Sequence, residues 1–416
     1  MGDRKTTVCM ISCRHALLDD RIYKKEAVTL ARNGYEVIHV GYGETNRDYR
    51  TPDHIRIIER KKEKKGKTFR SWRIAFMQLQ LGDLFHAAAS VAADIYHLHD
   101  MELCRIASKL QKMPHRPKVI YDAHEPFVDN LRDYWRERSP FKILLNDIPS
   151  LTAEKRFLKK ADYLIATEEN VASRFRKHNV HTDVIYNYSY FYPETQEEQE
   201  KKYDTVYSGL LSKSKGIFLM LQVLIAAQKQ GKNYSFVAVG PFESPSLQAE
   251  VEAMIRREGL EKQVVFTGEI PLEEVSRYYR QSKAAFCLFP FNRTNQRILP
   301  IKLFEYAAFG LPVIGSRFGH IREIIESNRM GVTVCPDAAE EAAAILIDLI
   351  SGNQYTEYSR NGIQCVKDYY LWETQEKKLL RVYENLSITA IQTLERKNRM
   401  VKRNSHSSPL LDENVK

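Results

Sequence analysis

Residues 203–240, "YDTVYSGLLSKSKGIFLMLQVLIAAQKQGKNYSFVAVG", carry the pattern that decides the fold. The run "YDTVYSG" is rich in β-branched and aromatic residues and predicts a strand that ends at Gly209. A loop with two lysines follows, then a long apolar stretch of helical length from Gly216, and then a second strand, "YSFVAVG". Strand, helix and strand in this order predict a βαβ unit of a parallel sheet.

The same alternation recurs on both sides of this unit. Strand-length runs before it are "TVCMIS", "YEVIHVG", "ADIYHLHD", "KVIYDAHE" and "ADYLIAT", and those after it are "QVVFTG", "AAFCLFP", "LPVIGS" and "GVTVC". The charged run "PETQEEQEKKYD" from Pro193 interrupts the alternation and predicts a linker. We therefore expect an α/β protein with two Rossmann-like, doubly wound domains that face a cleft, where ligands of such sheets bind.

Composition indicates a globular protein from a reducing compartment. The chain has 416 residues, of which 43% are hydrophobic and 28% are charged. Its six cysteines form no C-x-x-C pair, which favours thiols in the core over disulfides or zinc ligands. No secretory pattern is visible, and no apolar run approaches the roughly 20 residues of a spanning helix. We expect a cytoplasmic protein, or one peripheral on the inner face of the cell membrane.

Two segments of the second half have the chemistry of a phosphate and sugar site. In "SGLLSKSKGI" a strand ends at Gly209 and a helix begins just after Lys215, an arrangement that suits a diphosphate and also occurs in ordinary turns. In "RILPIKLFEYAAFGLPVIGS" we expect a short helix, roughly 300–309, with Glu305 buried or nearly so. Its partner is either Lys302, one turn away, or a pair of ligand hydroxyls such as a ribose.

Histidines and carboxylates follow two strands of the first half. "VIYDAHEPF" places His124 at the carboxyl end of a strand, where it can bind a sugar hydroxyl or serve a structural role. His97 and His99 in "YHLHDME" face the same side of a strand, which raises the question of a metal. No third ligand with suitable spacing is evident, and the chain contains no Asp-x-Asp. We therefore expect no metal and no other cofactor.

Positive charge is concentrated at particular places. The net charge is +10, and the fifteen residues 59–73 carry eight Lys or Arg against two Glu. This basic segment also carries aromatic rings and leads into an apolar stretch, a combination suited to an anionic bilayer, with a charged surface loop as the alternative. The residues assigned to the acceptor or membrane side are Lys61, Lys62, Lys64, Lys65, Phe69 and Trp72. No nucleic-acid-binding motif is present, so we expect no nucleic-acid partner.

Taken in order, these pieces resemble the GT-B fold glycosyltransferases, specifically the retaining family 4 type of bacterial surface-polysaccharide synthesis. The resemblance covers nearly the whole chain and rests on "DDRIYKKEAVTLARNGYEV", "YDAHE", "SGLLSKSKGI", "SFVAVGP", "LPIKLFEYAAFGLPVIGS", "GHIREII" and "RMGVTVCP". It implies an N-terminal acceptor-side domain over 1–192, a linker over 193–203 and a nucleotide-sugar-binding domain over 204–370. A terminal helix over 371–387 would return to the first domain, before a basic tail over 388–416.

The resemblance also implies roles for individual residues. Lys215 would bind the donor diphosphate, Glu305 would hold the ribose, and His124 would lie beside the transferred sugar. These three are the residues expected to act in catalysis. The donor-binding set is Gly209, Lys215, Glu269, Ile270, Arg297, Pro300, Lys302, Leu303 and Glu305, with the backbone near Glu269 and Ile270 at the base.

Two positions depart from the family pattern. Leu210 stands where the family commonly has Arg, and Arg297 stands where it commonly has Glu, eight residues before Glu305. We hypothesise that Arg297 contacts the donor diphosphate in place of the missing cation, or a carboxylate on a uronic-acid donor. The alternative is a solvent-facing arginine.

The expected function is therefore metal-independent sugar transfer from a nucleotide-sugar to a saccharide or lipid-linked hydroxyl acceptor, with retention of configuration. A nucleotide-sugar epimerase on the same fold and a catalytically impaired carbohydrate-binding partner are the alternatives. Neither the sugar, the base, the acceptor nor the linkage can be derived from the residues.

Overall fold

A computed structural model describes residues 4–62, 81–124, 154–190, 200–352 and 354–386. The chain divides into two compact units. Unit 1 comprises Met1–Tyr186 and Gln375–Lys416, and unit 2 comprises Asn187–Thr374.

The sheet of unit 1 has eight strands in the order β3-β4-β2-β1-β5-β6-β7-β8. Their bounds are β1 Thr7–Ile11, β2 Glu36–Gly43, β3 Arg47–Arg50, β4 Arg56–Lys61, β5 Ile95–Leu98, β6 Lys118–Ala123, β7 Tyr163–Ala166 and β8 Thr182–Val184. All pairs are parallel except β3 with β4. Strand order reverses at β1, which lies between β2 and β5, so the crevice beyond their carboxyl ends is the expected ligand position.

Helices connect these strands. A π-helical segment, Asp20–Ala27, continues into α1 (Val28–Arg32), and the other bounds are α2 Gly82–Val91, α3 Cys104–Leu110 and α4 Glu169–Arg176. The Asp19 carboxylate caps the first of these by accepting from the N–H groups of Arg21 and Ile22. The chain leaves α1 through Gly34, whose φ is +89°.

The sheet of unit 2 has six parallel strands in the order β11-β10-β9-β12-β13-β14. Their bounds are β9 Tyr203–Ser208, β10 Phe236–Val239, β11 Val264–Phe266, β12 Ser282–Cys287, β13 Val313–Ser316 and β14 Gly331–Val334. The order reverses at β9, between β10 and β12, so this sheet is doubly wound as expected.

The helices of unit 2 alternate with its strands. Their bounds are α5 Ile217–Lys229, α6 Pro245–Glu258, α7 Leu272–Arg280, α8 Ile301–Ala308, α9 Gly319–Ser327, α10 Ala339–Ser351 and α11 Tyr355–Tyr369. A last helix, α12, covers residues 372–386. From Gln375 onward it belongs to unit 1, where the Tyr383 hydroxyl lies 2.8 Å from His97 Nδ1.

Both faces of the second sheet are covered. Tyr207 and Phe286 pack in one hydrophobic cluster with α5 and α10, whereas Val206 and Ala285 pack in another with α8 and α9. Because successive side chains of a strand point to opposite faces, burial on both faces explains why these strands read as continuous apolar runs. The predicted fold class is confirmed.

Three strands were not predicted. Every residue of β3 is exposed, so this antiparallel edge strand has no apolar pattern to detect. β4 carries only three buried residues and ends at Lys61, inside the basic segment. β8 is three residues long, and such a short strand is indistinguishable from a loop in sequence.

Candidate functional site

Glycine backbone lines the carboxyl edge of the unit 2 sheet at the point where strand order reverses. Gly209 follows β9 with φ +117°, and Gly240 follows β10 with φ +134°. A Cβ on Gly240 would lie 2.3 Å from the carbonyl oxygen of Gly209, so no larger residue fits. The N–H of Gly240 donates to the carbonyl of Gly268, 3.1 Å away, which brings the end of β11 to the same edge. Because glycine has no side chain, a ligand at this edge can come into direct contact with main-chain atoms.

Lys302 reaches this glycine edge from α8. Its Nζ would lie 3.0 Å from a Cβ on Gly209 and lies 3.7 Å from the centroid of the Tyr207 ring. Burial, together with the positive charge of Lys215, lowers the pKa of Lys302 to about 7. Lys302 forms no ion pair with Glu305 within the described residues, so the helical pair considered above is not formed.

The loop before α5 is held in a fixed shape. Residues Lys213–Lys215 form a 3₁₀ turn in which the Ser212 hydroxyl accepts from the N–H of Lys215, 3.1 Å away. Gly216 follows with φ +82°, and a Cβ there would lie 2.1 Å from the Leu288 carbonyl oxygen. This close approach seats the loop against the end of β12, with Lys215 Nζ 5.6 Å from the centroid of the Phe289 ring.

Glu305 is held by a tyrosine. The Tyr279 hydroxyl donates to Glu305 Oε2 at 2.8 Å, and Ser208 Oγ lies 2.7 Å from the same hydroxyl. Tyr306 completes the network by accepting from the N–H of Ser208 at 2.9 Å. Glu305 itself is only partly buried, so the expectation of a nearly buried carboxylate was wrong. Tyr279, which is buried, supplies a hydrogen bond to this partly buried residue.

Arg297 lies in a 3₁₀ turn, Asn295–Arg297, and its side chain is exposed. Asn295, which is buried, anchors this turn by donating to the carbonyls of Ser214 and Pro290 at 3.2 and 2.8 Å. The turn and the Lys215 loop are therefore joined through one amide side chain. Pro300 is the N-cap of α8 rather than its first helical residue, and Leu303 is fully buried in the core.

In unit 1, two Asp–His pairs meet at the carboxyl edge of the sheet. His124 Nε2 lies 3.2 Å from Asp122 Oδ2, and His15 Nδ1 lies 3.1 Å from Asp100 Oδ1. The two imidazole rings are adjacent, with centroids 4.5 Å apart. Although burial alone would lower it, the hydrogen bond and charge of Asp100 raise the pKa of His15. Two imidazoles, each paired with an aspartate, thus share this edge.

Beneath this edge lies a fully buried polar cluster that could hold a metal by composition. Glu26, His97, His99 and Asp122 each place a ligand atom within 4.8 Å of the others, so carboxylate partners for the two histidines exist that the sequence spacing did not reveal. However, Arg21 Nε lies 2.9 Å from Glu26 Oε1 and 3.0 Å from Asp122 Oδ2. The guanidinium already supplies the positive charge between the two carboxylates, which disfavours a metal there.

The pKa values of the two carboxyl groups in this cluster are shifted in opposite directions. Burial, reinforced by the charge of Asp122, raises the pKa of Glu26 well above its usual range. Although burial acts in the opposite direction, the Arg21 guanidinium holds the pKa of Asp122 well below its usual range. Burial thus disfavours the charged form of Glu26, whereas the Arg21 guanidinium favours the charged form of Asp122.

Comparisons with known proteins agree with this architecture. The Glycosyltransferase Family 4 model matches residues 25–188, and the Glycosyl transferases group 1 model matches residues 191–364. Sucrose-phosphate synthase from Thermosynechococcus elongatus superposes with a TM-score of 0.68 at 18% identity, over 92% of this chain and 100% of that one. The chain belongs to the GT-B glycosyltransferases.

Other relatives of this glycosyltransferase include two further solved structures. Anabaena Alr3699/HepE in complex with UDP and glucose has a TM-score of 0.66 at 15% identity, covering 91% of this chain and 100% of that one. WaaG, a glycosyltransferase involved in lipopolysaccharide biosynthesis, has a TM-score of 0.62 at 15% identity, covering 90% and 99%. Amylovoran biosynthesis glycosyltransferase AmsK of Erwinia amylovora is 30% identical over 145 residues, and the match spans 34% of each chain.

The glycosyltransferase brings several predicted residues together in unit 2. Gly209, Lys215, Lys302 and Glu305 surround the carboxyl edge of its sheet, and Glu269 and Ile270 follow β11 with Glu269 exposed. His124 belongs to unit 1. Lys61 and Lys62 are exposed at the end of β4, whereas Lys64, Lys65, Phe69 and Trp72 lie outside the described residues.

Some residues of the glycosyltransferase site were missed by sequence reasoning. Tyr279 and Asn295 act through side chains that reach distant segments, and nothing in their own segments marks that role. His15 was not among the residues selected from the sequence. Its position shortly after β1, at the edge where strand order reverses, is the feature that would have identified it.

All six cysteines are free thiols; four are buried, Cys104 is partly buried and Cys335 is exposed. Among the described residues, no helix has the length and apolar character needed to cross a bilayer.

Proposed function

We propose that this glycosyltransferase takes its sugar from a nucleoside-diphosphate donor bound by unit 2. One observation carries the proposal: Lys215 and Lys302 flank a glycine edge where strand order reverses, with Glu305 held nearby by Tyr279. Two lysine side chains and backbone N–H groups match a diphosphate, and the carboxylate of Glu305 matches ribose hydroxyls. Alr3699/HepE, a protein of the same fold, is described in complex with UDP and glucose.

The leaving diphosphate would be stabilised by lysines and backbone donors rather than by a metal. The absence of Asp-x-Asp supports this proposal, and so does the guanidinium that occupies the buried carboxylate cluster of unit 1. Retention of configuration and the role of His124 beside the transferred sugar rest on the resemblance alone and stay predictions.

The biological product would be a cell-surface polysaccharide or glycolipid. The partial match to the amylovoran biosynthesis enzyme supports a polysaccharide product, since a shared segment of 145 residues is 30% identical. The acceptor would carry a free hydroxyl on a saccharide or a lipid-linked saccharide.

A thermal-shift screen of nucleotide sugars tests the donor proposal directly. The matching nucleotide should raise the melting temperature of the wild type. It should raise that of Glu305→Gln much less, because a neutral amide accepts hydrogen bonds from the two ribose hydroxyls less well than a carboxylate. Arg256→Gln on the exposed face of α6 is the control. No shift with any UDP, GDP, ADP or dTDP sugar would refute the proposal.

Product analysis separates transfer from the two alternatives. Incubation of the donor alone should leave its sugar unchanged, whereas an isomerised sugar would identify an epimerase. Donor binding without transfer to any saccharide acceptor and without hydrolysis would identify a carbohydrate-binding partner.

We further propose that unit 1 contacts an anionic membrane. A cavity of about 230 Å³ between α2 and α3 has an apolar wall of Phe85 and Ile106 with two cations, Arg105 and Lys109. It includes Leu81, the first described residue after the basic segment. The protein should float with liposomes containing anionic lipid at low salt, and Arg105→Glu with Lys109→Glu should weaken this. Equal flotation with neutral liposomes would contradict it.

A further inference from the structure

Arg21 lies at the centre of the buried polar cluster of unit 1, and the donor site of unit 2 gives it no role. It belongs to the motif "DDRIYKKEA", which carries part of the family resemblance without a function for any of its residues. The motif folds as the π-helical segment Asp20–Ala27, whose i→i+5 hydrogen bonds bring residues five apart close together. Arg21 and Glu26 are such a pair, and Nε of Arg21 lies 2.9 Å from Oε1 of Glu26.

The guanidinium of Arg21 is fixed by further contacts. Its Nε and Nη2 donate to the two carboxylate oxygens of Asp122 at 3.0 and 3.2 Å, and its Nη1 donates to the carbonyl of Ile185 at 2.9 Å. Arg21 and Asp122 are both buried. A guanidinium that donates to both oxygens favours the charged form of a carboxylate and fixes its orientation. Asp122 therefore presents a fixed acceptor to its other neighbours.

Asp122 in turn decides which ring nitrogen of His124 carries a proton. Oδ2 of Asp122 lies 3.2 Å from Nε2 of His124. Because a charged carboxylate only accepts, the nitrogen that faces it must carry the proton. Nδ1 of His99 lies 3.1 Å from the same nitrogen and then accepts as well. The opposite assignment, with His99 as the donor, would turn a lone pair of His124 towards Oδ2 of Asp122.

The surroundings of His124 leave its other nitrogen for a ligand. Thr167 holds the backbone by donating to the His124 carbonyl at 3.0 Å, and the ring of His15 lies beside the imidazole. Asp122 and His99 are buried, whereas the His124 side chain is 11% exposed, so Nε2 faces the interior. Among the residues that the structure describes, Nδ1 of His124 has no hydrogen-bond partner. With the proton on Nε2, Nδ1 carries a lone pair and accepts.

We propose that Arg21, acting through Asp122, fixes the tautomer of His124 so that Nδ1 of His124 accepts a hydrogen bond from a sugar hydroxyl. Arg21 and Asp122 are thus positioning residues, and the group that His124 recognises is a donor, a hydroxyl, rather than a carboxylate. This inference rests on the proposed function, because His124 is predicted there to lie beside the transferred sugar. The position of the proton on His124 can be measured without any sugar.

NMR of the ¹⁵N-histidine-labelled full-length protein measures this proton directly. The spectrum is recorded at about pH 8.5, above the ordinary imidazole pKa of about 6.5. Two histidines serve as references, because a carbonyl only accepts: Nδ1 of His39 lies 3.0 Å from the Leu17 carbonyl, and Nε2 of His115 lies 3.0 Å from the Ala93 carbonyl. The His124 signals, identified by their loss in His124→Gln, should match the pattern of His115. A proton on Nδ1 of His124 in the wild type would overturn the proposal.

Two variants test whether Asp122 and Arg21 hold the proton in place. Asp122→Asn has one acceptor oxygen for three donors, and its amide can donate to Nε2, so His124 should shift to the pattern of His39. Arg21→Gln removes the counter-charge, so a protonated Asp122 can donate to Nε2 with the same result, and Arg21→Lys should recover the wild-type pattern.

The matched control is Asp162→Asn, since Asp162 accepts from the N–H of Val119 at the opposite end of β6. It should leave the His124 signals unchanged. Unaltered His39 and His115 signals show that unit 1 of each variant is folded. If Arg21→Gln does not fold, Asp122→Asn decides alone. A wild-type His124 pattern in folded Asp122→Asn would overturn the proposal.

Turnover separates this inference from the donor proposal. Hydrolysis of UDP-glucose, GDP-mannose and dTDP-glucose is assayed in parallel, and binding of UDP, GDP and dTDP is measured by calorimetry. Asp122→Asn should lower kcat by at least about tenfold and leave nucleotide affinity unchanged, because unit 2 binds the nucleotide. If the tautomer shifts and kcat does not, the contact with the sugar is wrong while the donor proposal stands. If the tautomer is as proposed and no nucleotide binds the wild type, the positioning of His124 stands and the donor proposal fails.

Discussion

The hydroxyl of Tyr279 donates to Oε2 of Glu305 at 2.8 Å, joining α7 to α8 at the edge of the second sheet. Burial and the charge of Glu305 raise the pKa of Tyr279, so the phenol keeps its proton and acts only as a donor to the carboxylate. The ribose-binding role proposed for Glu305 therefore depends on a residue 26 positions earlier.

Removal of the Tyr279 hydroxyl should weaken nucleotide binding without unfolding the protein. In Tyr279→Phe, Glu305 loses a charge-assisted hydrogen bond of ~1.5–3 kcal/mol, and we expect at least about tenfold weaker binding of the donor nucleotide. Tyr278→Phe is the matched control, since Tyr278 is the adjacent tyrosine and has no part in this network. Equal affinity of both variants would show that Tyr279 does not position Glu305.

Gly216 should be far less replaceable than another glycine with a similar backbone. Gly216 and Gly259 have φ of +82° and +68°, but only at Gly216 would an added Cβ meet a neighbour within 4 Å, the Leu288 carbonyl. Gly259→Ala should cost about 1 kcal/mol from its left-handed conformation, and Gly216→Ala about 2–4 kcal/mol from conformation and overlap together. Urea unfolding midpoints measure both, and comparable losses would contradict the close approach.

The buried pair of carboxyl groups in unit 1 should make stability depend on pH. Because the folded-state pKa of Glu26 is raised, the unfolded chain binds fewer protons above about pH 4.5, and the free energy of unfolding falls as pH rises toward the folded pKa. Glu26→Gln removes this ionisation, so stability should decline less from pH 5 to 8, by up to ~1.4 kcal/mol per pH unit. Exposed Glu44→Gln is the control. A slope identical to that of the wild type would show that Glu26 ionises normally.

Arg297→Ala tests the remaining departure from the family pattern. If Arg297 contacts the donor, the variant should bind the donor about tenfold more weakly, ~1.4 kcal/mol, while Arg293→Ala, an exposed arginine of the same loop, should not. A loss confined to uronic-acid donors would point to the sugar carboxylate, and a loss with every donor to the diphosphate. Unchanged affinity and turnover would assign Arg297 to solvent.

Much of this molecule follows from local pattern. The strands buried on both faces, such as β9 and β12, were predicted because burial leaves a continuous apolar run. Lys215 and Glu305 were selected from a strand–loop–helix turn and from a charge in an apolar helix. Edge strand β3 was not predicted because all of its residues are exposed and it has no apolar pattern. Edge strand β8 was not predicted because it has only three residues.

The sequence by itself determined the fold class, the order of the βα units and the chemical types present at the strand ends. Only the tertiary structure decided which of those residues meet. In the structure Lys302 lies on the Tyr207 ring and forms no ion pair with Glu305, Glu305 accepts from Tyr279, and His15 pairs with Asp100. The reason is physical: periodicity reports which side of an element is buried, whereas hydrogen bonds and charge pairs depend on distances between segments far apart in the chain.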